Sequence, residues 1–166
     1  MSIRVPDSLD AAEIQRFLDT FLYREEAFLI DEIVEADAET RSIRARMQTT
    51  GALPIARHQR SGPGHPAHVA AAEMLMLTGS LGCLHAWLFH GCRWDEGWSG
   101  FGNRIHRADF KQLARIGPPL ELASTELRTR AGEKRVVLRY EFRFEQEQRL
   151  VYTGDQSAMF FKDAPL

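Results

Sequence analysis

Four residues of the types used in acid–base chemistry lie close together in the sequence: His58, His65, His68 and Glu73. Glu73 follows three alanines and precedes the run Met-Leu-Met-Leu, the most apolar setting of any acidic residue in the chain. Because burying an unpaired carboxylate is costly, we expect this group either to be paired or to take up a proton near neutral pH. A carboxyl group that titrates there suits a general acid or base, whereas a structural carboxylate would cap a loop N–H or pair with an arginine.

Zinc sites also use histidine and carboxylate ligands, so the same four side chains could form a metal cluster. Their spacing matches no recognised metal motif, and we predict no metal ion here. Each histidine also has a plain structural alternative as a solvent-facing residue of a loop or helix start.

Other polar residues could contribute to binding. Asp31 ends an apolar run and could orient a loop histidine or arginine, although an acid at a strand end is often only solvated. Arg104, Arg107 and Lys111 form a local basic run. Such a run could meet phosphate groups or an acidic protein surface, or it could be a solvated face.

Two tryptophans, Trp87 and Trp98, surround the end of the longest apolar segment. They could line a tunnel for an apolar chain or simply close the core. Cys83 and Cys92 are too few for a disulfide framework, so we expect free thiols in a reducing cytosol. The expected location is the cytoplasm.

Composition limits the classes of function. The chain has 166 residues, 44% of them hydrophobic and 27% charged, with a formal net charge of −2. This predicts one globular domain over residues 1–166 and no general attraction to nucleic acid.

The longest apolar stretch, residues 74–89, is shorter than the roughly 20 residues of a bilayer span. We therefore predict no membrane span, and the N-terminus lacks the apolar region of an export signal.

The residue patterns predict the elements that position these side chains. Apolar residues at helical spacing predict a short helix over residues 8–22, and a hairpin follows over residues 27–47. After a loop rich in glycine and proline, a long helix is predicted over residues 67–90, ending at Gly91. The remaining sequence predicts about four strands, of which residues 136–144 alternate strictly.

The long helix is apolar around nearly its whole circumference, so most of its sides must be covered. Only a sheet can be built from the remaining sequence. We therefore predict an α+β fold in which a curled, mostly antiparallel sheet wraps around one central helix.

Short motifs resemble the hotdog-fold enzymes of acyl thioesters. Phe-Leu-Ile-Asp-Glu-Ile at residues 28–33 and Gly-His-Pro at residues 64–66 are similar to motifs of the 3-hydroxyacyl-ACP dehydratases. His68, five residues before Glu73, is similar to the His and Glu spacing of the FcoT-like long-chain fatty acyl-CoA thioesterases. The resemblance covers residues 20–162 and implies a hotdog fold, with sites between the subunits of a homodimer or a dimer of dimers.

The resemblance implies a thioesterase of fatty acid metabolism that hydrolyses acyl-CoA or acyl carrier protein thioesters. Coenzyme A or phosphopantetheine would enter as part of the substrate, with no separate cofactor. The helix start would polarise the thioester carbonyl, Glu73 would activate water or attack directly, and His68 would assist. His65 and His58 are further catalytic candidates.

Two alternatives follow from departures from the family patterns. Gln59, with His58 beside it, stands where the dehydratases have their catalytic histidine, and the thioesterases' asparagine positions are Ala70 and Gly79. A dehydratase or hydratase would use the same histidines and Glu73. A non-catalytic acyl-binding protein would explain the lost polar positions, but not the retained Glu73.

Overall fold

The computed structural model describes residues 3–163, which form two α-helices and six β-strands. The helices are α1 (Ala11–Thr20) and α2 (Ala71–His90). The strands are β1 (Glu32–Asp37), β2 (Ser42–Met47), β3 (Trp98–Phe110), β4 (Leu120–Gly132), β5 (Arg135–Gln146) and β6 (Arg149–Lys162).

All six strands join one antiparallel sheet in the order β1-β2-β4-β5-β6-β3. In β5 the alternation of the sequence is realised as predicted, since every second residue from Val136 to Phe144 is buried. Strand β3 pairs with β6, with Trp98 opposite Lys162, and forms one edge of the sheet.

Helix α2 packs against strands β2, β3, β5 and β6 and supplies much of the core. Leu77, Leu81 and Leu84 are completely buried. By length and composition alone the helix could cross a membrane, but 67% of its most apolar window is buried within the protein, as in the core helix of a globular domain. It ends at Gly91 in the left-handed conformation, with φ of 64°, which a glycine adopts without strain.

The start of α2 differs from the prediction by four residues. Residues 67–70 are not helical, and Ala70 has an extended conformation with ψ of 152°. The backbone N–H of Val69 donates to the carbonyl of Ala114 on a different segment, and Glu73 reaches back to accept from the N–H of Ala70. These bonds hold the preceding segment away from the helical path, so His68 lies before the helix and not in its first turn.

The N-terminal elements are shorter than predicted. Helix α1 occupies Ala11–Thr20 of the expected residues 8–22, with the Asp10 carboxylate accepting from the N–H of Ala12. The first strand starts at Glu32, because residues 25–27 form a 3-10 turn and residues 28–31 are irregular.

Candidate active site

A cavity of about 560 Å³ lies between α2 and strands β3, β5 and β6. Its walls are mainly apolar, with Leu75 and Met76 from the helix and Phe142 and Phe160 from the sheet. The exposed ring of Phe101, on β3, also lines it. This volume and lining are typical of a site for a largely apolar small molecule.

One stripe of α2 faces this cavity. Five residues at helical spacing line the cavity from this side: Ala72, Leu75, Met76, Gly79 and Cys83. Apart from Cys83, they are exposed or half-buried although they carry no polar group. The helix therefore has two apolar faces, one in the core and one along the cavity, which explains why its sequence is apolar all round.

Among the polar residues that line the cavity, Thr78 and Gln156 are bonded to each other across the wall. Thr78 Oγ1 on α2 lies 3.0 Å from Gln156 Oε1 on β6, and Gln156 Nε2 donates to the hydroxyl of Tyr152 at 2.9 Å. Thr78 and Gln156 line the cavity, whereas Tyr152 is completely buried behind them. Nothing in the sequence predicted this group, since Gln156 has no motif around it and lies 78 residues from Thr78.

Glu73 is completely buried, but its carboxylate faces backbone and not the cavity. Oε1 accepts from the N–H groups of Ile55 at 2.8 Å and Ala56 at 3.0 Å, and Oε2 accepts from the N–H of Ala70 at 2.7 Å. The carboxylate thereby joins the loop before the helix to the helix start. This capping arrangement is the structural alternative to a catalytic role that the sequence left open.

The three predicted histidines lie near Glu73 in sequence, but none has a described bond to its carboxylate. The His68 ring packs edge-to-face against the His65 ring, with centroids 5.0 Å apart, and His68 Nδ1 lies 2.9 Å from the carbonyl oxygen of Pro66. His58 is exposed in a short 3-10 turn and bonds to the side chain of Arg57. Only the pair His65 and His68 is brought together.

The geometry of His68 fixes its tautomer. A carbonyl oxygen can only accept, so Nδ1 carries a proton toward Pro66, and in the neutral imidazole the lone pair is then on Nε2. The backbone of His68 is held on both sides by the side-chain amide of Gln59, which accepts from its N–H and donates to its carbonyl. The ring is therefore positioned to accept a proton at Nε2.

Like Glu73 and the three histidines, the remaining predicted polar residues do not line the cavity. Asp31 accepts from the backbone N–H of Gln48 at 2.6 Å, which secures the first hairpin, and no bond to a loop histidine or arginine side chain is described for it. Arg107 and Lys111 both pair with Asp109, at 3.5 Å and 3.2 Å. Arg104 lies exposed on β3, the same strand that supplies Phe101 to the cavity.

Trp87 and Trp98 belong to the core and do not line the cavity. The guanidinium of Arg93 lies 4.4 Å from the centre of the Trp87 ring, and Phe17 of α1 packs against the same ring edge-on. The cavity is walled by phenylalanines instead. The sequence places aromatic residues near the helix end, but it does not show which of them pack in the core and which line the cavity.

A second polar cluster is buried under the sheet. His85 Nε2 lies 2.8 Å from Ser124 Oγ, His85 Nδ1 lies 3.2 Å from Glu126 Oε1, and His90 Nε2 bonds to both oxygens of Glu126. Burial alone would raise the pKa of Glu126, but bonds from His85 and His90 outweigh it and lower this pKa to about 2. Burial lowers the pKa of His85, although its bond to Glu126 opposes this.

The order of Ser124, His85 and Glu126 matches nucleophile, base and acid in a hydrolytic triad. However, Ser124 is 2% exposed and His85 is 0% exposed, and neither lines the cavity. The cluster is therefore a structural network. Across residues 3–163, no group of three or more histidine, cysteine, aspartate and glutamate side chains is arranged to hold a metal ion.

Solved structures similar to this fold include several thioesterases. A mutant thioesterase from Pseudomonas aeruginosa superposes with a TM-score of 0.61 at 13% identity, covering 94% of this chain and 96% of that one. A hot-dog-like protein from Thermanaerovibrio acidaminovorans gives 0.54 at 20% identity, covering 74% and 82%. A hypothetical thioesterase from Streptococcus pneumoniae, solved with coenzyme A, gives 0.55 at 9% identity, covering 81% and 88%.

These likenesses confirm the predicted hotdog fold: a six-stranded antiparallel sheet around one long central helix. The thioesterases among these structures agree with the predicted thioesterase resemblance, whereas none of the three lends support to the dehydratase resemblance. No family model matches the sequence, and no curated protein matches it either.

Proposed function

We propose that the protein hydrolyses acyl thioesters, with the acyl group in the cavity and the thioester at the start of α2. The observation that carries this proposal is that the apolar cavity reaches Ala72, in the first turn of that helix. Backbone N–H groups in a first turn have no partner within the helix, and they lie at its positive end. The N–H groups of Ala71 and Ala72 would bond to the thioester oxygen as its charge develops.

His68 is our candidate for the base. Its Nε2 would take a proton from water while the water oxygen attacks the carbonyl carbon. The resulting tetrahedral intermediate then breaks its C–S bond, releasing the thiolate and a carboxylic acid. Glu73 positions His68 relative to the helix start, because its carboxylate bonds to the backbone N–H of Ala70, which lies between them in the chain. In this proposal Glu73 has a supporting role and not a direct catalytic one.

Acyl-CoA is the carrier that we favour. The thioesterase from Streptococcus pneumoniae was solved with coenzyme A, and the basic side chain of Arg104 is exposed on the strand that borders the cavity. Acyl carrier protein remains the second candidate. Neither carrier requires a separate cofactor.

We also propose a homodimer formed through β3. This strand has 13 residues, and within the described chain its outer edge has no strand partner. Phe101, Ile105 and Phe110 are exposed on it. The other edge, β1, is short and is partly covered by Arg4, which bonds to the backbone of Asp31 and Ile33. A long unpaired edge strand with exposed apolar side chains is prone to pair with another chain, and a second copy is the simplest partner.

The function is tested with matched thioesters of one chain length: saturated, 3-hydroxyacyl and 2-enoyl. Free thiol and enoyl absorbance are followed together. Thiol release from the saturated acyl-CoA is expected. A change in enoyl absorbance without thiol release would instead show a hydratase or dehydratase, and binding without either signal would show a non-catalytic acyl-binding protein.

A further inference from the structure

Thr78, Gln156 and Tyr152 form a bonded polar group at the mainly apolar cavity wall. Thr78 is almost completely buried, Gln156 is half-buried and faces the cavity, and Tyr152 is completely buried. Burial raises the pKa of Tyr152, which keeps its hydroxyl protonated at neutral pH. A Cβ at Gly154 would lie 2.3 Å from this hydroxyl, so the glycine is needed to make room for it.

The amide of Gln156 has bonding capacity beyond these contacts. A glutamine amide offers two N–H donors and an oxygen with two lone pairs. The described contacts use one donor, toward Tyr152, and at most one lone pair, because the single proton of the Thr78 hydroxyl also faces the Leu75 carbonyl oxygen at 2.7 Å. A wholly aliphatic ligand would displace water from the remaining sites and give no hydrogen bond in return, which is unfavourable.

The position of this group along the helix indicates which part of a ligand it would meet. Thr78 lies six residues after Ala72, which corresponds to about 9 Å along a helix axis. An extended chain advances about 1.2 Å per bond. If the thioester carbonyl lies at Ala72, as in the proposed function, Gln156 meets the acyl chain at about its eighth carbon, with the carbonyl carbon counted as the first.

We propose that the cavity binds an acyl group that carries a hydroxyl or keto oxygen at about its eighth carbon, and that the Gln156 side chain recognises this oxygen. Tyr152 is a positioning residue, since its hydroxyl holds the amide in place. The inference deepens the proposed function and rests on it, because the hydrolytic site sets the distance to the oxygen.

The test uses thioether analogues of acyl-CoA in which a methylene group separates sulfur from the carbonyl, so that they cannot be hydrolysed. The full-length protein is titrated calorimetrically with the decanoyl analogue and with its 8-hydroxy and 3-hydroxy forms. We expect the 8-hydroxy form to bind at least about 10-fold more tightly than the other two, in line with one added hydrogen bond in a buried site.

Two variants separate recognition from folding. Gln156→Leu should bring the affinity ratio between the 8-hydroxy and plain analogues to about one, and Tyr152→Phe, which keeps the ring, should reduce this ratio partly. Ser157→Ala is the matched control: Ser157 also lines the cavity, but its hydroxyl bonds to His106. We expect this variant to keep the full ratio.

The possible failures are distinguishable. If the wild-type protein hydrolyses plain decanoyl-CoA but binds all three analogues equally, the inference is overturned and the proposed function stands. The inference is also overturned if Gln156→Leu keeps the wild-type ratio while melting normally. If no analogue binds and no acyl-CoA is hydrolysed, both proposals fail together.

Discussion

His85 Nδ1 lies 3.2 Å from Glu126 Oε1 in the protein interior, with the Glu126 side chain only 2% exposed. Such a carboxylate is stable only because it is fully bonded. His90 and Thr129 donate to it, and Arg41 lies 3.6 Å away at the surface. The network joins the end of α2 to β4 and so fixes the helix against the sheet.

The first prediction concerns acid stability. The folded-state pKa of Glu126 is about 2, below its usual value of 4.5, so its contribution is fully present above pH 4.5 and is lost as pH falls toward 2. This shift corresponds to a contribution on the order of 3 kcal/mol. The lowered pKa of His85 also makes the folded protein less stable as pH falls. Below the usual histidine pKa of 6.5, His85 takes up a proton more readily in the unfolded chain than in the folded one.

Glu126→Gln should therefore lower the free energy of unfolding at pH 7, and its deficit against wild type should shrink as pH falls from 5 to 2. Urea unfolding at several pH values measures this. A deficit that stays constant over the whole range would show that the carboxylate charge is not the stabilising feature.

The second prediction concerns Glu73. In Glu73→Gln an NH₂ group replaces one of the two accepting oxygens, so at least one backbone N–H of Ile55, Ala56 or Ala70 loses its partner. We expect a loss of stability of about 1–3 kcal/mol. Turnover should fall less than in a variant of His68. A fall of a hundredfold or more with an unchanged melting temperature would instead identify Glu73 as the general base.

The third prediction concerns His68. His68→Gln should lower kcat by roughly 10²–10⁴-fold, since a general base is lost, and should leave the melting temperature nearly unchanged. The wild-type pH profile of kcat/KM should show an ascending limb that the variant lacks. A variant that keeps this limb would exclude His68 as the base, even if its rate were reduced.

The fourth prediction concerns Gly79, an exposed glycine inside α2 with nothing within 4 Å of where a Cβ would stand. Glycine costs about 1 kcal/mol relative to alanine in a helix interior, so Gly79→Ala should raise stability. It should also narrow the cavity and weaken the activity toward the longest acyl chains accepted. Differential scanning calorimetry and a chain-length series of acyl-CoAs measure the two effects.

Gly91→Ala is the matched control for Gly79. Its φ of 64° strains any residue with a Cβ, and it does not line the cavity. It should lower the melting temperature and leave the chain-length preference unchanged. If Gly79→Ala is neutral in both measurements, the glycine has no role in shaping the cavity.

The fifth prediction concerns assembly. Ile105→Asp should convert the proposed dimer into a monomer, because it places a charge on the exposed edge strand β3. Leu127→Asp is the control, as this residue is similarly exposed, at 51% against 54%, but lies on β4. Light scattering measures the mass of each variant in solution and so shows whether it is a monomer or a dimer. A monomeric wild-type protein at micromolar concentration would overturn the proposal.

Much of the fold could be predicted from local patterns. The strict alternation from Val136 to Phe144 defines a strand, and the apolar circumference of α2 requires a sheet around it. The start of that helix could not be predicted, because Ala70 has no capping side chain and the cap comes from Glu73, inside the helix. A cap of this kind gives no distinct signal in the residues before the helix.

The site is less predictable from sequence than the fold. The apolar neighbours of Glu73 correctly indicate a buried carboxylate, but its partners are backbone groups that sequence does not identify. The bond between Thr78 and Gln156 depends on how β6 is placed against α2, which only the completed sheet determines. For the same reason, the sequence could not decide whether Trp87 lines a tunnel or closes the core; in the structure the residue is completely buried and does not line the cavity.

The pairing of β3 with β6 also has a consequence for synthesis on the ribosome. Strand β3 is complete at Phe110, yet its partner begins at Arg149 and is the last strand of the sheet. Until then β3 has no strand partner, the outer edge of β5 is unpaired, and the apolar stripe of α2 is exposed to solvent, a state in which aggregation competes with folding. The ligand cavity is therefore the last part of the molecule to form, and a chain cut after β5 would lack its outer wall.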